Sequence, residues 1–469
     1  MGELQGLKRS LGLWPCIAAA MGLVVASTTL VSLGQGFGIA GPGFIIPMVI
    51  AMILNLFVAF SFAELSSIIP KAGGINHYTL PALGPFAGLM SVVAGYVLVN
   101  IFAGSAESTI PGLVFSEVFA PSVNPKLFSI GMIIVLMLVN IRGIDFFAYL
   151  QMFLTTLMMG TLLVIGIIGL TGMGAGEPVA TSFDTFNMMG LSVLSLTALA
   201  FWLFLGLEFV TPLAEEIRKP KIYIPIAMFS ALLLIFITKV IYGLASIKYV
   251  PLDVLASSTA PHVEAGMAIA SRTGQVWMAI ATILAALSTV NTLTAAIPRM
   301  IYGLAQEGQA PRILGTLSRW QTPWVAIVFA SALFMAPIII GLATIEIIVV
   351  FILAGVFCYF ITYIIAHLNV IILRYKYPHT KRAFKSPFWI LPQLIGIGGM
   401  IYMMLNIFPE PEIKRMIYQY AIIFLVVSAA GSALWVKLVM KKGLFEVTPL
   451  EEIIGAEAFA EAGSKEIAG

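Results

Sequence analysis

Twelve apolar stretches, each of about twenty residues or close to it, dominate this chain. A segment of that length crosses the hydrocarbon layer of a bilayer, so the chain is expected to be an all-α membrane protein with twelve transmembrane helices. The stretches cover approximately 13–38, 42–66, 83–109, 127–141, 146–171, 189–213, 223–247, 273–303, 323–341, 344–373, 390–408 and 416–440. Composition excludes the alternative of a large soluble core. Residues are 60% hydrophobic and 10% charged, whereas a soluble domain carries about 25% charged residues. The first stretch is too long for a cleavable signal peptide and lacks a small-residue cleavage site.

Two of the stretches carry polar breaks at equivalent places in the two halves. Met21–Gly38 holds Ser27, Thr28 and Thr29 near its middle, and Leu199–Pro212 holds Trp202, Gly206 and Glu208 at similar depth. Backbone facing lipid must stay fully hydrogen-bonded, so an interrupted helix implies a protein-lined cavity. Paired interruptions in two repeats are a way of building a central solute site. The hydroxyl triplet has two readings. Each hydroxyl bonds a carbonyl one turn back, or the turn is loosened and its free N–H groups meet an anionic or polar ligand. Gly34, Gly36 and Gly38 mark either a second loosening or close helix packing.

Spans 1–5 and 6–10 then form two halves, and an odd count of five inverts the second. The expected organisation is a tail at 1–12, first repeat 13–171, second repeat 189–373, two appended helices within 390–440 and a tail at 441–469. Lys and Arg fall nineteen against six on the two sides, with Lys239 counted among the six. The positive-inside rule places both termini in the cytoplasm of a multi-pass plasma-membrane protein. Thr448-Pro449-Leu450-Glu451 reads as a capping box opening a tail helix that packs or solvates. The longest outer connection, Lys248–Arg272, is a mixed polar stretch with Pro251 and Pro261.

Glu208 is the sharpest single residue. An ionisable group inside a span costs a few kcal/mol and faces a cavity or pathway, or is a structural carboxylate bonded to neighbouring helices. Facing a cavity, it is a proton acceptor or a protonation-sensitive gate. Glu215 and Glu216, beside Arg218, Lys219 and Lys221, suggest an ion-pair lattice closing the inner face. Asn100 and Glu107 project from nearly one face of span 3. They bind an amine or guanidinium, or Glu107 sits at the outer interface. Ser288, Thr289, Asn291 and Thr292 form a polar belt in span 8, with Ser288 and Thr289 the candidate sodium contacts. Trp202 covers a ligand and gates access, or packs.

Other chemistry is missing from the sequence. Cys16 and Cys358 lie within spans and suggest no disulfide framework. Four scattered histidines show no metal-ligand spacing. There is no phosphate loop, no catalytic grouping and no nucleic-acid module. No enzyme activity and no cofactor are expected, beyond H⁺ or Na⁺ as a coupling ion.

Several motifs occur in order: A-E-L-S at Ala63–Ser66, P-K-A-G-G at Pro70–Gly74, E-E-I-R-K-P at Glu215–Pro220, R-M-I-Y-G-L-A-Q-E-G-Q-A-P at Arg299–Pro311, and R-A-F-K-S-P at Arg382–Pro387. From about residue 13 to 440 the chain resembles the amino acid–polyamine–organocation transporter superfamily, particularly its bacterial amino acid permeases. The resemblance implies a five-plus-five inverted repeat as in the bacterial leucine transporter, with two appended helices. It implies transport of amino acids or related amines by proton or sodium symport or by exchange. Counting back from Ala40-Gly41-Pro42, it places the glycine-serine-glycine break on Ala26, Ser27 and Thr28. It places the aromatic gate near Phe201 and Trp202, the acidic position on Glu208 and a substrate contact on Asn100. Ala26 and Thr28 replace the two glycines, which keeps an amine or polyamine in view beside an ordinary α-amino acid. A span 5 lysine that stands in for sodium in some branches is replaced by Met158, seven residues after Gln151.

The expected protein is therefore a secondary transporter of amino acids or organic amines, acting as a monomer or homodimer in the bilayer. Ser27, Thr28 and the carbonyls of Phe201–Leu205 would hold the solute, with Ala26, Asn100, Gly206 and Asn291 around it and Glu107 or Glu208 as the gate. A polyamine antiporter and a transporter-like sensor that binds without moving cargo are the alternatives.

Overall fold

The computed structural model describes residues 7–179, 186–342, 345–408 and 410–455. Lys465 and the tail beyond 455 lie outside them. Among the described residues the structure is helical, and the one strand-like feature is an isolated bridge between Leu11 and Ile217. Among the described residues nine helices are long and apolar enough to cross a membrane, and three more apolar helices are shorter.

The first crossing is split into α1 (Leu13–Gly22) and α2 (Ser27–Ala40). There follow α3 (Ile45–Ile68), α4 (Ile75–Leu83) and α5 (Pro85–Val118), the last containing wide π turns at Val93–Leu98 and Asn100–Gly104. Next come α6 (Pro125–Arg142) and α7 (Ile144–Thr171). The second split crossing is α8 (Thr197–Trp202), a turn, and a 3₁₀ segment Leu207–Glu216. The remainder is α9 (Pro220–Tyr249), α10 (Leu252–Ser257), α11 (Pro261–Gln306), α12 (Trp324–Ile339), α13 (Ile345–Lys376), α14 (Leu391–Leu405), α15 (Pro411–Leu434) and α16 (Leu450–Ile454).

Local chemistry sets many of these ends. Proline occupies the first turn of α6, α9, α11 and α15, where its missing N–H has no intrahelical partner in any case. The Asn124 side chain accepts from the Lys126 amide at 2.9 Å to cap α6. Gly172, in the left-handed region, ends α7.

Three readings of the sequence are refined by the structure. Lys248–Arg272 is mainly helical: α10 lies within it, and α11 starts at Pro261 and passes a kink at Ala270 and Ser271. Thr448 caps nothing, because Pro449 is the N-cap of a five-residue helix and the Thr448 amide donates to the Leu80 carbonyl at 3.2 Å. The α2 glycines serve packing, since α2 is continuous and a Cβ at Gly34 or Gly38 would meet Pro261 or Ala256.

Gly206 is different. Its φ of +112° turns the chain between α8 and the 3₁₀ segment, and an added Cβ would run into Leu23 of the first break. Gly206→Ala is expected to cost about 1–3 kcal/mol. It should lower the thermal midpoint and slow uptake, and a variant that unfolds with the parent would refute the close contact of the two breaks.

Candidate functional site

The helix interruption in the first crossing is a turn over residues 23–25 that leads into extended Ala26, at φ −88° and ψ 153°. Interrupting a helix orphans donors on one side and acceptors on the other. Both sets are filled by side chains from distant helices. The Ser27 and Thr28 amides donate to Glu107 of α5, at 2.6 Å to Oε1 and 2.9 Å to Oε2. One carboxylate thus spans the positive end of α2, where backbone N–H groups and helix dipole favour an anion. On the acceptor side, the Gly22 carbonyl receives the Ser288 hydroxyl at 3.3 Å and the Thr289 hydroxyl at 3.2 Å. The Val24 carbonyl receives Lys239 Nζ at 3.0 Å.

Lys239 also reaches the second break. It donates to the Leu203 carbonyl at 2.7 Å and to the Thr29 hydroxyl at 3.0 Å, while the Thr29 hydroxyl donates to the Ala26 carbonyl at 2.8 Å. Its side chain is fully buried at the middle of α9. This corrects its assignment to an outer loop. The signal was present, because Lys239 stands inside the apolar stretch 223–247, where a charge is costly unless it has a task.

A hollow of about 10 Å³ lies between the breaks, no more than one water needs. Ala26, Thr28, Glu107, Trp202, Leu205 and Thr289 line it together with Leu23, Thr29, Val99, Ala103, Gly104 and Leu293. Trp202 crosses from one break to the other, its indole N–H donating to the Thr28 hydroxyl at 3.2 Å. The same ring also lines a second cavity of about 320 Å³, walled by Val31, Gln35, Ile110, Glu117, Thr259 and Leu353 among others. Trp202 is therefore the partition between a closed midplane hollow and a vestibule leading away from the face that carries the termini.

The terminal face itself is shut. Arg299 of α11 binds the Glu216 carboxylate with two nitrogens, Nη2 to Oε1 at 2.7 Å, and both side chains are buried. The Ala72 amide donates to Glu215 at 3.1 Å, and the Ser10 and Leu11 amides donate to the Glu216 carbonyl. The lattice expected around Glu215 and Glu216 exists, but the partner of Glu216 is Arg299 instead of Arg218, Lys219 or Lys221. A second lattice joins Glu64 of A-E-L-S to Arg374, to Arg382 at 3.1 Å and to the Ser386 amide at 2.8 Å. Motifs hundreds of residues apart thus meet at one face.

The remaining candidates lie elsewhere. Glu208 is buried and touches neither cavity; Tyr363 donates to its Oε2 at 2.8 Å, and Tyr96 and Tyr359 crowd the same carboxyl group. Asn100 donates to the Ala330 carbonyl at 3.2 Å. Phe201 packs edge-on against Phe360 and Tyr363. Asn291 accepts from Asn140 and donates to Gln151, each at 2.9 Å, and Gln151 donates to Ser288 at 2.7 Å. The polar belt of α11 is thus bonded within the protein.

A helical membrane protein with two crossings interrupted around a closed hollow, sealed toward one face and opening toward the other, has the form of a solute transporter. The chain matches the family described as Amino acid permease over residues 11–428, and it belongs to that family. It is similar to the serine/threonine exchanger SteT of Bacillus subtilis, with 26% identity over 86% of this chain and 92% of that protein. It is 24% identical to the branched-chain amino acid permease BcaP of the same organism, over 86% of this chain and 89% of that one. Similarity extends to the human cystine/glutamate transporter, with 26% identity over 87% of this chain and 82% of the relative. These relatives are an exchanger, a permease and a transporter, and the protein is a transporter, not an enzyme.

Proposed function

We propose that this protein moves a small amino acid or organic amine across the plasma membrane by alternating access. The proposed architecture has twelve crossings, two inverted repeats of five with two appended helices, and both termini in the cytoplasm. Transitions would exchange the present arrangement, sealed at the terminal face, for one in which the ion-pair lattice parts and Trp202 closes the vestibule. The relatives' names support amino acids as the broad class. The observation that favours amines within it is Glu107 on the Ser27 and Thr28 amides. Those amides are where a ligand carboxylate would dock, and they already hold one. An incoming carboxylate would face Glu107 as a like charge in a low-dielectric hollow. An ammonium group would be attracted to Glu107 and covered by the Trp202 ring. α-Amino acids remain the second reading, through displacement of Glu107 from the amides.

Proteoliposome uptake decides between them. Matched pairs, each an amino acid and its decarboxylated amine, should show the amine moving and competing better. Failure of every pair under proton, sodium and counter-substrate gradients would end the transport assignment.

Glu208 supplies a test of coupling. Its carboxylate accepts from the Tyr363 hydroxyl and, among the described residues, has no cationic partner, so gaining or losing a proton changes a buried charge. Glu208→Gln is expected to flatten the pH dependence of uptake while leaving ligand binding in place. Full pH dependence in that variant would remove Glu208 from coupling.

A further inference from the structure

The closed face that carries the termini holds a separate hollow of about 130 Å³. Lys71, Lys221 and Lys381 line it with Thr380, beside the apolar side chains of Ile68 and Ile454. The three lysines come from three different segments. Lys71 lies in P-K-A-G-G between α3 and α4, Lys221 in the first turn of α9 directly after E-E-I-R-K-P, and Lys381 between α13 and α14 directly before R-A-F-K-S-P. Three ammonium groups around one hollow repel one another, and no carboxylate lines it. Among the described residues none of the three makes an ion pair. Glu307, whose carboxylate feels Lys71, is bonded to His77 at 3.2 Å. Thr380 is only 8% exposed, and its hydroxyl makes no hydrogen bond among the described residues. Lys221 also stands at the positive end of α9, where an anion is favoured and a cation is not.

We propose that this hollow binds a phosphate group, carried by an anionic phospholipid of the adjoining leaflet or by a free phosphate, and that the bound group clamps the closed face. Three lysine point charges and a hydroxyl donor suit the negative charge and the acceptor oxygens of a phosphate. The volume is below the roughly 300–1,000 Å³ of a site for a drug-sized ligand, so it suits one phosphate group. The site is distinct from the solute path, because none of its residues lines the midplane hollow or the vestibule. The clamp follows from where the lysines originate. The end of α3, the start of α9 and the α13–α14 connection meet in the closed arrangement, and an anion that bridges all three binds it better than an arrangement in which they part. A ligand shifts an equilibrium by that difference in affinity. The clamp rests on the alternating-access reading given above, whereas the site itself does not.

The test uses the purified full chain in two arms. In detergent, inorganic phosphate at saturation should raise the thermal midpoint by about 2 °C or more beyond chloride of equal ionic strength. In nanodiscs, phosphatidylglycerol should give such a rise over phosphatidylcholine if a lipid is the carrier. A rise in either arm, lost when Lys71→Gln, Lys221→Gln and Lys381→Gln are combined, upholds the site, and the arm that shows it names the carrier. No rise in either arm, or an equal rise in the triple variant, overturns the proposal. Should the triple variant fail to fold, Lys221→Gln and Lys381→Gln alter exposed side chains, and each alone should shrink the rise; an unchanged rise in both overturns the site. The clamp is read on Ala295→Cys, whose modification by a thiol reagent the bound phosphate should slow about fivefold or more. Binding that leaves this rate unchanged overturns the clamp. If no solute moves under any gradient, the transport reading falls on its own, and the midpoint measurements still judge the site.

Discussion

Arg299→Met is expected to destabilise the protein by about 3–5 kcal/mol, the cost of stranding a buried carboxylate without its cation. Arg299 and Glu216 are 1% and 0% exposed, and two guanidinium nitrogens meet the carboxylate while a third donates to the Ala295 carbonyl at 2.6 Å. Removing the arginine leaves Glu216 facing apolar surroundings. Removing both charges, in Arg299→Met with Glu216→Gln, should restore much of the loss, because replacing a whole buried pair is often close to neutral. Thermal unfolding in detergent across the four-member cycle measures the coupling. Equal damage in the single and double variants would show that packing, not charge, holds this face. The cycle also bears on function, since the pair ties α11 to the end of the second split crossing. Weakening it should favour the state open at the terminal face, read as faster thiol modification of a cysteine introduced at Ala295.

The breaks were legible in the sequence because they are local. Three hydroxyl residues inside an apolar run, and a glycine beside a glutamate in the matching run, mark backbone that leaves the helix. What fills the breaks was not legible. Glu107 lies 80 residues from Ser27, and Lys239 lies 215 from Val24 and 36 from Leu203. Pairing at that range depends on how α5 and α9 pack against α1 and α8, which periodicity does not report. Glu216 shows the same limit: its neighbours in sequence supplied three plausible cations, yet its partner is 83 residues away. Asn100 and Phe201 were placed at the solute site by resemblance; in this arrangement Asn100 donates to the Ala330 carbonyl and Phe201 packs edge-on against Phe360. Glu64, Glu215, Glu216, Arg299 and Arg382 each belong to one of the motifs, and all join the closed face.

Glu107→Gln is expected to weaken amine uptake by roughly 30- to 5,000-fold in apparent affinity, corresponding to about 2–5 kcal/mol for loss of one member of a buried charge pair. The amide side chain is isosteric and keeps one acceptor, so it can bond one of the Ser27 and Thr28 amides. It cannot supply the negative charge that an ammonium needs in this hollow. It also leaves Lys239 without its balancing charge, so a fall in thermal midpoint is expected alongside the loss of uptake. The two effects separate in Glu107→Ala. That variant bares both amides at the positive end of α2, and formate or acetate should recover its thermal midpoint by taking the vacated place. Amino acids should then bind where their amines no longer do, because the ligand brings its own carboxylate. Glu107→Asp is one methylene shorter and should bond one amide at a time, giving an intermediate loss. Retention of parental amine uptake by Glu107→Gln would remove the carboxylate from recognition. A preference of the unmodified protein for amino acids over their amines would show that Glu107 yields its place during transport, and would move the ligand carboxylate onto the Ser27 and Thr28 amides.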